Sequence, residues 1–528
     1  MNDCFYRRQY WGYSFFTGAT KKQGNLFCAA ALIVCVLILF YLIRHLRKPA
    51  ASLKIQFAKS DIWAILVCIL TGTTAWMWGK SLVHQGFDEV FSAVNCARLP
   101  AFQTLSYYML PNNHVFFNIL NGTLFDFADD KVFTGKLISL VCFWGIIIIS
   151  YKWLSGMIKN KLIAATAVMA LCFQFPTWGF GFQARGYELY FLAEWSCFLC
   201  LARYSISRNS QWLHFYALSA VIGYFCIPTF LYFHAACLLF GVFWMIRCRK
   251  IDIKFWRMQL IIIAAAFLTY LPAICFSGVH ALAGNPYVSA QITTAQQFYD
   301  KGIDTFGMYL NFYTSEFTKD HAVIDWVLFF APLALLIFYK NRLAVWGGFF
   351  FLGMWLSCIL LAGLMKIYPI DRTIGGHLSI SLALTIYFFY LLLQKLPGLL
   401  KTELVGHTIF IAGLVALGIQ FGIGNEANVR AGLYNNDINI KYDLLKHGGI
   451  DLIPQGSTVG FSNECFYWYY LCSLRGDKVS QCPSGNEAYI VRFRLDPFPV
   501  PDTDKYVLVK TVYKYRVIAV GYDIYERK

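Results

Sequence analysis

Uncharged stretches of about twenty residues alternate with short basic connections along most of the chain. Runs of this length and polarity predict membrane helices. They fall at 25–43, 61–80, 134–153, 162–178, 186–203, 212–228, 229–246, 258–276, 323–339, 343–365, 374–394 and 405–423. Pro228 divides the long run 212–246 into two passes joined by a tight turn. From about Asn425 the pattern changes. Charged residues become frequent and balanced, thirteen Lys and Arg against twelve Asp and Glu. Apolar residues there come in short runs, Tyr506–Val509 and Arg516–Val520, bounded by turn residues, which predicts strands. Residues 463–474 predict a helix. The fold class is therefore a polytopic α-helical membrane protein of about twelve transmembrane helices, with a small C-terminal extracytoplasmic α/β domain. Three regions follow. Residues 1–60 are an N-terminal segment with one helix, 61–424 a membrane core with long loops 81–133 and 277–322, and 425–528 the C-terminal domain.

Composition agrees. Of 528 residues, 58% are hydrophobic and 14% charged, where a soluble globular protein carries about 25% charged residues. The net charge of +16 is spread over short loops, which excludes nucleic acid as the partner. It is mostly the positive-inside bias of a membrane protein. One set of connections is dense in cations, with Arg44, Arg47 and Lys48, then Arg247, Arg249 and Lys250, then Lys340, Arg342, Lys395 and Lys401. These are assigned to the cytoplasm. The longer, opposite loops carry only seven, namely Arg98, Lys131, Arg185, Lys301, Lys319, Lys366 and Arg372. Those loops and the C-terminal domain are assigned to the outer side.

Most of the seventeen cysteines lie in apolar runs, where they act as small hydrophobes. Cys465, Cys472 and Cys482 sit in the C-terminal domain, where one disulfide is allowed and the sequence does not choose the pair. The first apolar run ends in a basic cluster without a small-residue cleavage site, so no cleavable signal peptide is expected.

Candidate chemistry concentrates in the outer loop Gln85–Asp130, pinned to the membrane at both ends. Asp88-Glu89 follows a membrane helix directly. A carboxylate there can serve as general base, bind a divalent cation or cap a helix. Adjacent residues point in different directions, so one of the two faces a given pocket. Asn112, Asn113 and His114 form a second polar knot, suited either to start a helix or to hydrogen-bond a sugar or phosphate. Asp88 with His114 is the pair that would hold a metal. Arg185, before Tyr187, and Arg372, with Lys366 and His377 nearby, bring cations to the outer face against the charge bias. Arginine suits phosphate through bidentate contacts, and headgroup snorkelling is the competing role. Glu194 and His234 lie within predicted membrane helices and are expected to face the bundle interior.

The Asp-Glu pair in the first outer loop, the Asn-Asn-His segment, the Ala184-Arg185-Gly186-Tyr187 turn, the many spans and the outer C-terminal domain together resemble the GT-C superfamily of integral-membrane glycosyltransferases. The likeness covers most of 61–424. It is nearest to the bacterial proteins similar to protein O-mannosyltransferases and lipid A aminoarabinose transferase. The helix at 25–43 is an addition to that pattern. The resemblance implies an inverting transfer from a polyprenyl-phosphate sugar donor to a glycan, lipid or protein acceptor. It implies a site on the periplasmic face of a bacterial inner membrane, and membrane lipid as surroundings. Asp88 would activate the acceptor, with Glu89 as its neighbour. Arg185 and Arg372 would grip the donor phosphate, and Asn112, Asn113, His114, Tyr187, Lys366 and His377 would complete the substrate site. No cofactor is required for certain, and a divalent cation is allowed. A lipid-linked-sugar flippase would instead show Gly/Pro-broken helices and charges at mid-membrane. An O-antigen polymerase or ligase would share the arginines without needing the first-loop acids.

Overall fold

The computed structural model describes residues 21–46, 58–82, 86–106, 108, 113–124, 128–279, 282, 292–314, 322–338, 340–395, 403–431, 449–462, 465–481, 483–494, 500–513 and 521–528. Asn112, Asp126, Cys482 and the expected strand at 516–520 lie outside them.

Each expected membrane segment is helical. The helices are α1 (Lys21–Leu46), α2 (Lys59–Leu82), the short α3 (Phe87–Ser92), α4 (Ala101–Ser106), α5 (Val115–Leu124), α6 (Lys131–Met157), α7 (Lys161–Phe173) and α8 (Phe175–Gly181). They continue as α9 (Tyr187–Ser207), α10 (Gln211–Cys226), α11 (Phe230–Cys248), α12 (Ile253–Ser277), α13 (Ala295–Thr314) and α14 (Ala322–Phe330). The last of the bundle are α15 (Arg342–Met365), α16 (Gly375–Lys395) and α17 (Glu403–Ala431). Among the described residues, eight are long and apolar enough to cross a membrane, or nine if α7 and α8 form one bent span. The segment expected at 162–178 is broken because Pro176 cannot continue a helix, and α8 leaves α7 at 63°. Residues 323–339 shorten to α14 plus a 3₁₀ stretch, Ala331–Ile337, which contains Pro332. Ile227, just before Pro228, is extended, and this ends α10 where the sequence placed a turn.

Broad apolar faces on α1 and α2, including Ile33, Leu37, Phe40, Trp63 and Leu70, are exposed, which suits a surface against lipid. Glu194 and His234 are buried inside the bundle, as the sequence led one to expect. His234 contacts Gln259 Oε1 at 2.7 Å and Tyr224 Oη at 2.8 Å. Glu194 lies 3.1 Å from His377 Nδ1.

The C-terminal domain is a five-stranded sheet with one helix. Its strands are β1 (Thr458–Phe461), β2 (Lys478–Gln481), β3 (Tyr489–Phe493), β4 (Tyr506–Tyr513) and β5 (Gly521–Arg527), in the order β2-β1-β3-β5-β4. β1 pairs in parallel with β2 and β3, while β5 runs antiparallel to β3 and β4. The helix, α18 (Phe466–Leu474), packs on α3. Val90, Phe91 and Val94 share one apolar core with Val459, Phe461 and Trp468. The sheet domain thus sits on the helix that carries Asp88. Cys465 and Cys472 are buried.

Candidate functional site

Two turns and one short helix converge on Asp88. Glu89, its neighbour, builds the helix start. Its Oε2 accepts the Gly86 N–H at 2.6 Å, which satisfies a donor the helix leaves open. Its Oε1 accepts the Ala184 N–H at 2.6 Å and lies 3.6 Å from Lys136 Nζ on α6. Glu89 is 3% exposed and Asp88 35%, so the pair divides into a buried staple and a reachable carboxylate.

The turn that Glu89 holds, Phe182–Gly186, is fixed on other sides too. Ser139 Oγ donates to the Gln183 carbonyl at 2.6 Å. Trp76 Nε1 donates to Gly181 O at 2.8 Å, and Trp178 Nε1 to Ala75 O at 2.9 Å, tying α8 to α2. Gly186 lets His114 approach: a Cβ there would lie 2.7 Å from His114 Cβ. From this turn Arg185, 2% exposed, reaches Asp88 with Nη1 in a short ion pair. Its Nη2 contacts His114 Nε2 at 3.2 Å and Tyr187 Oη at 3.4 Å.

Guanidinium only donates, so His114 Nε2 accepts and the proton of the neutral ring sits on Nδ1. Burial, and then the charges of Arg185 and Arg372, hold His114 well below the usual histidine range. Its ring meets Tyr187 edge-on at 4.6 Å.

Arg372 comes from the 3₁₀ turn Asp371–Thr373 and places Nη1 3.7 Å from the same Asp88 oxygen. Tyrosines hold that segment. Tyr190 donates to Thr373 O at 3.0 Å, Tyr232 to Ile367 O at 3.0 Å, and Tyr309 to Pro369 O. Tyr368 donates in turn to Phe298 O of α13 at 3.0 Å, so the second long loop is docked beside the turn. Burial raises the Asp371 carboxyl above its usual range, against the pull of Arg372.

Asp88, Arg185, Arg372, His114 and Tyr187 are therefore brought together, while other candidates are placed elsewhere. Asn113 is buried, donating to Thr104 O at 2.8 Å and accepting from Asn118 Nδ2 at 3.0 Å, which pins its loop. His377 is wholly buried beside Glu194, inside the bundle rather than at the outer turn. Lys366 is exposed at the end of α15 in a left-handed conformation, its carbonyl accepting from Ile292 N. Asp130 caps α6 through Phe133 N at 2.8 Å and bonds Tyr470 Oη. Among the described residues no group of three or more His, Cys, Asp or Glu side chains could hold a metal. The residues that sequence reasoning passed over are Lys136, Ser139, Trp76 and the tyrosines. Their only local signal is a polar atom in a long apolar run.

No family model and no curated protein matches the sequence. Solved structures do. ArnT from Cupriavidus metallidurans bound to undecaprenyl phosphate superposes with a TM-score of 0.53 at 11% identity, over 87% of this chain and 97% of that one. ArnT from the same organism in the apo state gives 0.54 at 10% identity, over 88% and 98%. The arabinosyltransferase EmbB from Mycobacterium smegmatis gives 0.48 at 11% identity, over 87% of this chain and 47% of that one. The chain therefore shares the fold of the ArnT structures. Nearly the whole length of ArnT is matched, so the likeness is one of architecture and not of a shared helix pair.

Proposed function

We propose that the chain is an inverting GT-C glycosyltransferase that moves a sugar from a polyprenyl-phosphate donor to an acceptor hydroxyl. The observation that carries this reading is the reachable Asp88 carboxylate held against two arginines, at the end of a helix fixed by buried contacts. In the reaction the acceptor hydroxyl passes its proton to Asp88 and its oxygen bonds the sugar C1. The C1–O bond to phosphate breaks on the opposite face, and the electron pair leaves with the phosphate. Arg185 and Arg372 stabilise that developing charge with fixed donors. Neutral His114 accepts from Arg185 and orients it.

The two guanidinium groups supply the positive charge this leaving group needs, so the reading is metal-independent. Arg185 also bridges Asp88 and His114, the two side chains considered for a metal. An apolar cavity of about 240 Å³ among α13, α14, α16 and α17, lined by Leu328, Leu382, Phe389, Phe410 and Leu417, suits an isoprenoid tail. The Lys and Arg bias supports a site on the outer face, which in a bacterial inner membrane would be the periplasmic one. The test is sugar transfer from a polyprenyl-phosphate sugar by the purified protein, with and without chelator. Loss of transfer on chelation would replace the arginine mechanism by a metal one.

A further inference from the structure

Behind the turn that carries Arg372, an acid and an imidazole meet inside the bundle. Glu194 on α9 and His377 on α16 are both 0% exposed, and the Glu194 carboxylate lies 3.1 Å from His377 Nδ1. Their surroundings are aromatic. The His377 ring lies 5.3 Å from the Phe233 ring centre and 6.2 Å from that of Trp355. The reaction proposed above uses neither group. A buried pair of this kind contributes little to stability, since apolar residues of similar volume do as well or better in its place. Its best-attested use is to fix the register of the elements it joins.

The elements joined here are α9 and the start of α16, close behind the 3₁₀ turn Asp371–Thr373. Gly375 and Gly376 open α16 and lie directly against α9. A Cβ on Gly375 would come within 2.2 Å of Phe191 Cζ, and one on Gly376 within 1.6 Å of Glu194 Oε2. Either methyl would have to displace a buried side chain, so Glu194 forms part of a close-fitting seat for α16. Tyr190 ties the same face of α9 to the turn. It stands four residues before Glu194, so the two side chains are neighbours on the helix surface. Its buried hydroxyl donates to the carbonyl of Thr373, next to Arg372, at 3.0 Å. The Arg372 side chain points the other way. It is 38% exposed and reaches to 3.7 Å from Asp88 Oδ2.

The geometry points to Glu194, His377 and Tyr190 as positioning residues for the donor phosphate: the Glu194–His377 contact sets the register of α16 on α9, and Tyr190 carries that register to the turn of Arg372. The role in donor binding rests on the transferase reading above. A slip of one residue along α16 would move the turn by about 1.5 Å. Misplacement by about 1 Å is enough to cost a reaction about a hundredfold. The slip would also part Glu194 from His377 and leave each buried alone, and that penalty is what singles out one register.

The test uses the full-length protein in detergent, with a fluorescent polyprenyl phosphate as the probe. Tyr190→Phe removes one hydroxyl and keeps the ring, so the bundle stays packed. It weakens probe binding about three- to tenfold, the size of one net hydrogen bond. His377→Leu weakens binding at least as much, and His377→Gln, whose amide still meets the carboxylate, by less. Neither Tyr190→Phe nor His377→Leu has a further effect in an Arg372→Ala background, and both keep their full effect in an Arg185→Ala background. A merely looser bundle would lower affinity equally in every background. Backbone amide exchange reads the turn without the donor. At residues 371–376 it speeds about tenfold in Tyr190→Phe and in the His377 variants, while at 181–186 it stays as in wild type. Unchanged exchange at 371–376, or equal loss of affinity with and without Arg372, would overturn the assignment. A wild-type protein that fails to bind the probe would remove the donor reading, and the exchange pattern would still decide whether these three residues set the turn.

Discussion

Asp88 and Arg185 form an ion pair in which the arginine is buried and the acid is reachable. Arg372 approaches the same carboxylate oxygen at 3.7 Å. The carboxylate thus occupies, in this state, the place of the anion that the two arginines are proposed to hold.

A competition follows from that relationship. Asp88→Asn removes the internal anion, so polyprenyl phosphate should bind the variant about five- to fifty-fold more tightly than wild type. Arg185→Ala and Arg372→Ala should each lose about 1.5–3 kcal/mol of donor binding, the size of a charge-assisted contact. Lysine should rescue either poorly, lacking the fork. Equilibrium binding of a fluorescent polyprenyl phosphate reads all of these. Unchanged affinity in both alanine variants would assign the arginines to headgroup contacts.

Glu89 should fail in a different way from Asp88. Its carboxylate is buried opposite Lys136, and removing one partner of a buried pair costs about 3–5 kcal/mol. Glu89→Gln should therefore lower the unfolding midpoint and the folded yield. Activity per folded molecule should fall less than in Asp88→Asn. A stable, inactive Glu89→Gln protein would make Glu89 the reacting acid.

His114 gives a pH signature. Its folded pKa is depressed, so the folded ring stays neutral while the unfolded chain takes a proton as pH falls through about 6.5. Its contribution is present above that pH and is lost below it, by at most about 1.4 kcal/mol per pH unit. Between pH 7 and 5, wild type should lose stability more steeply than His114→Gln. Equal slopes in denaturant titrations would mean that the ring protonates in place.

Sidedness rests on loop charge. Reporter fusions after residues 130 and 450 should score outside, and those after 160, 250 and 340 inside. A cytoplasmic score at 130 would put Asp88 on the wrong face for the proposed donor.

The helices were legible because a run of twenty apolar residues has few other places to go. So was the division of Asp88 from Glu89, but not its direction. Neighbours on a helix point about 100° apart, and only the fold says which of them meets Lys136. Asn113 and His377 were misplaced for a related reason: a polar side chain in a turn looks the same whether it faces a ligand or its own backbone. The docking of α18 on α3 had no sequence signal, because Arg98 and Ser473 stand 375 residues apart. Pro176 lies within a stretch that the hydrophobic pattern draws as one span, and the chain bends there before it enters the turn that carries Arg185.

The measurement that bears most directly on the whole account is turnover of Asp88→Asn with a polyprenyl-phosphate sugar. The substitution keeps size and removes the base, and general-base assistance is worth about a hundred- to ten-thousand-fold. The account predicts a fall in that range by a protein that folds normally and still binds donor. Near-normal transfer by a well-folded Asp88→Asn protein would contradict it.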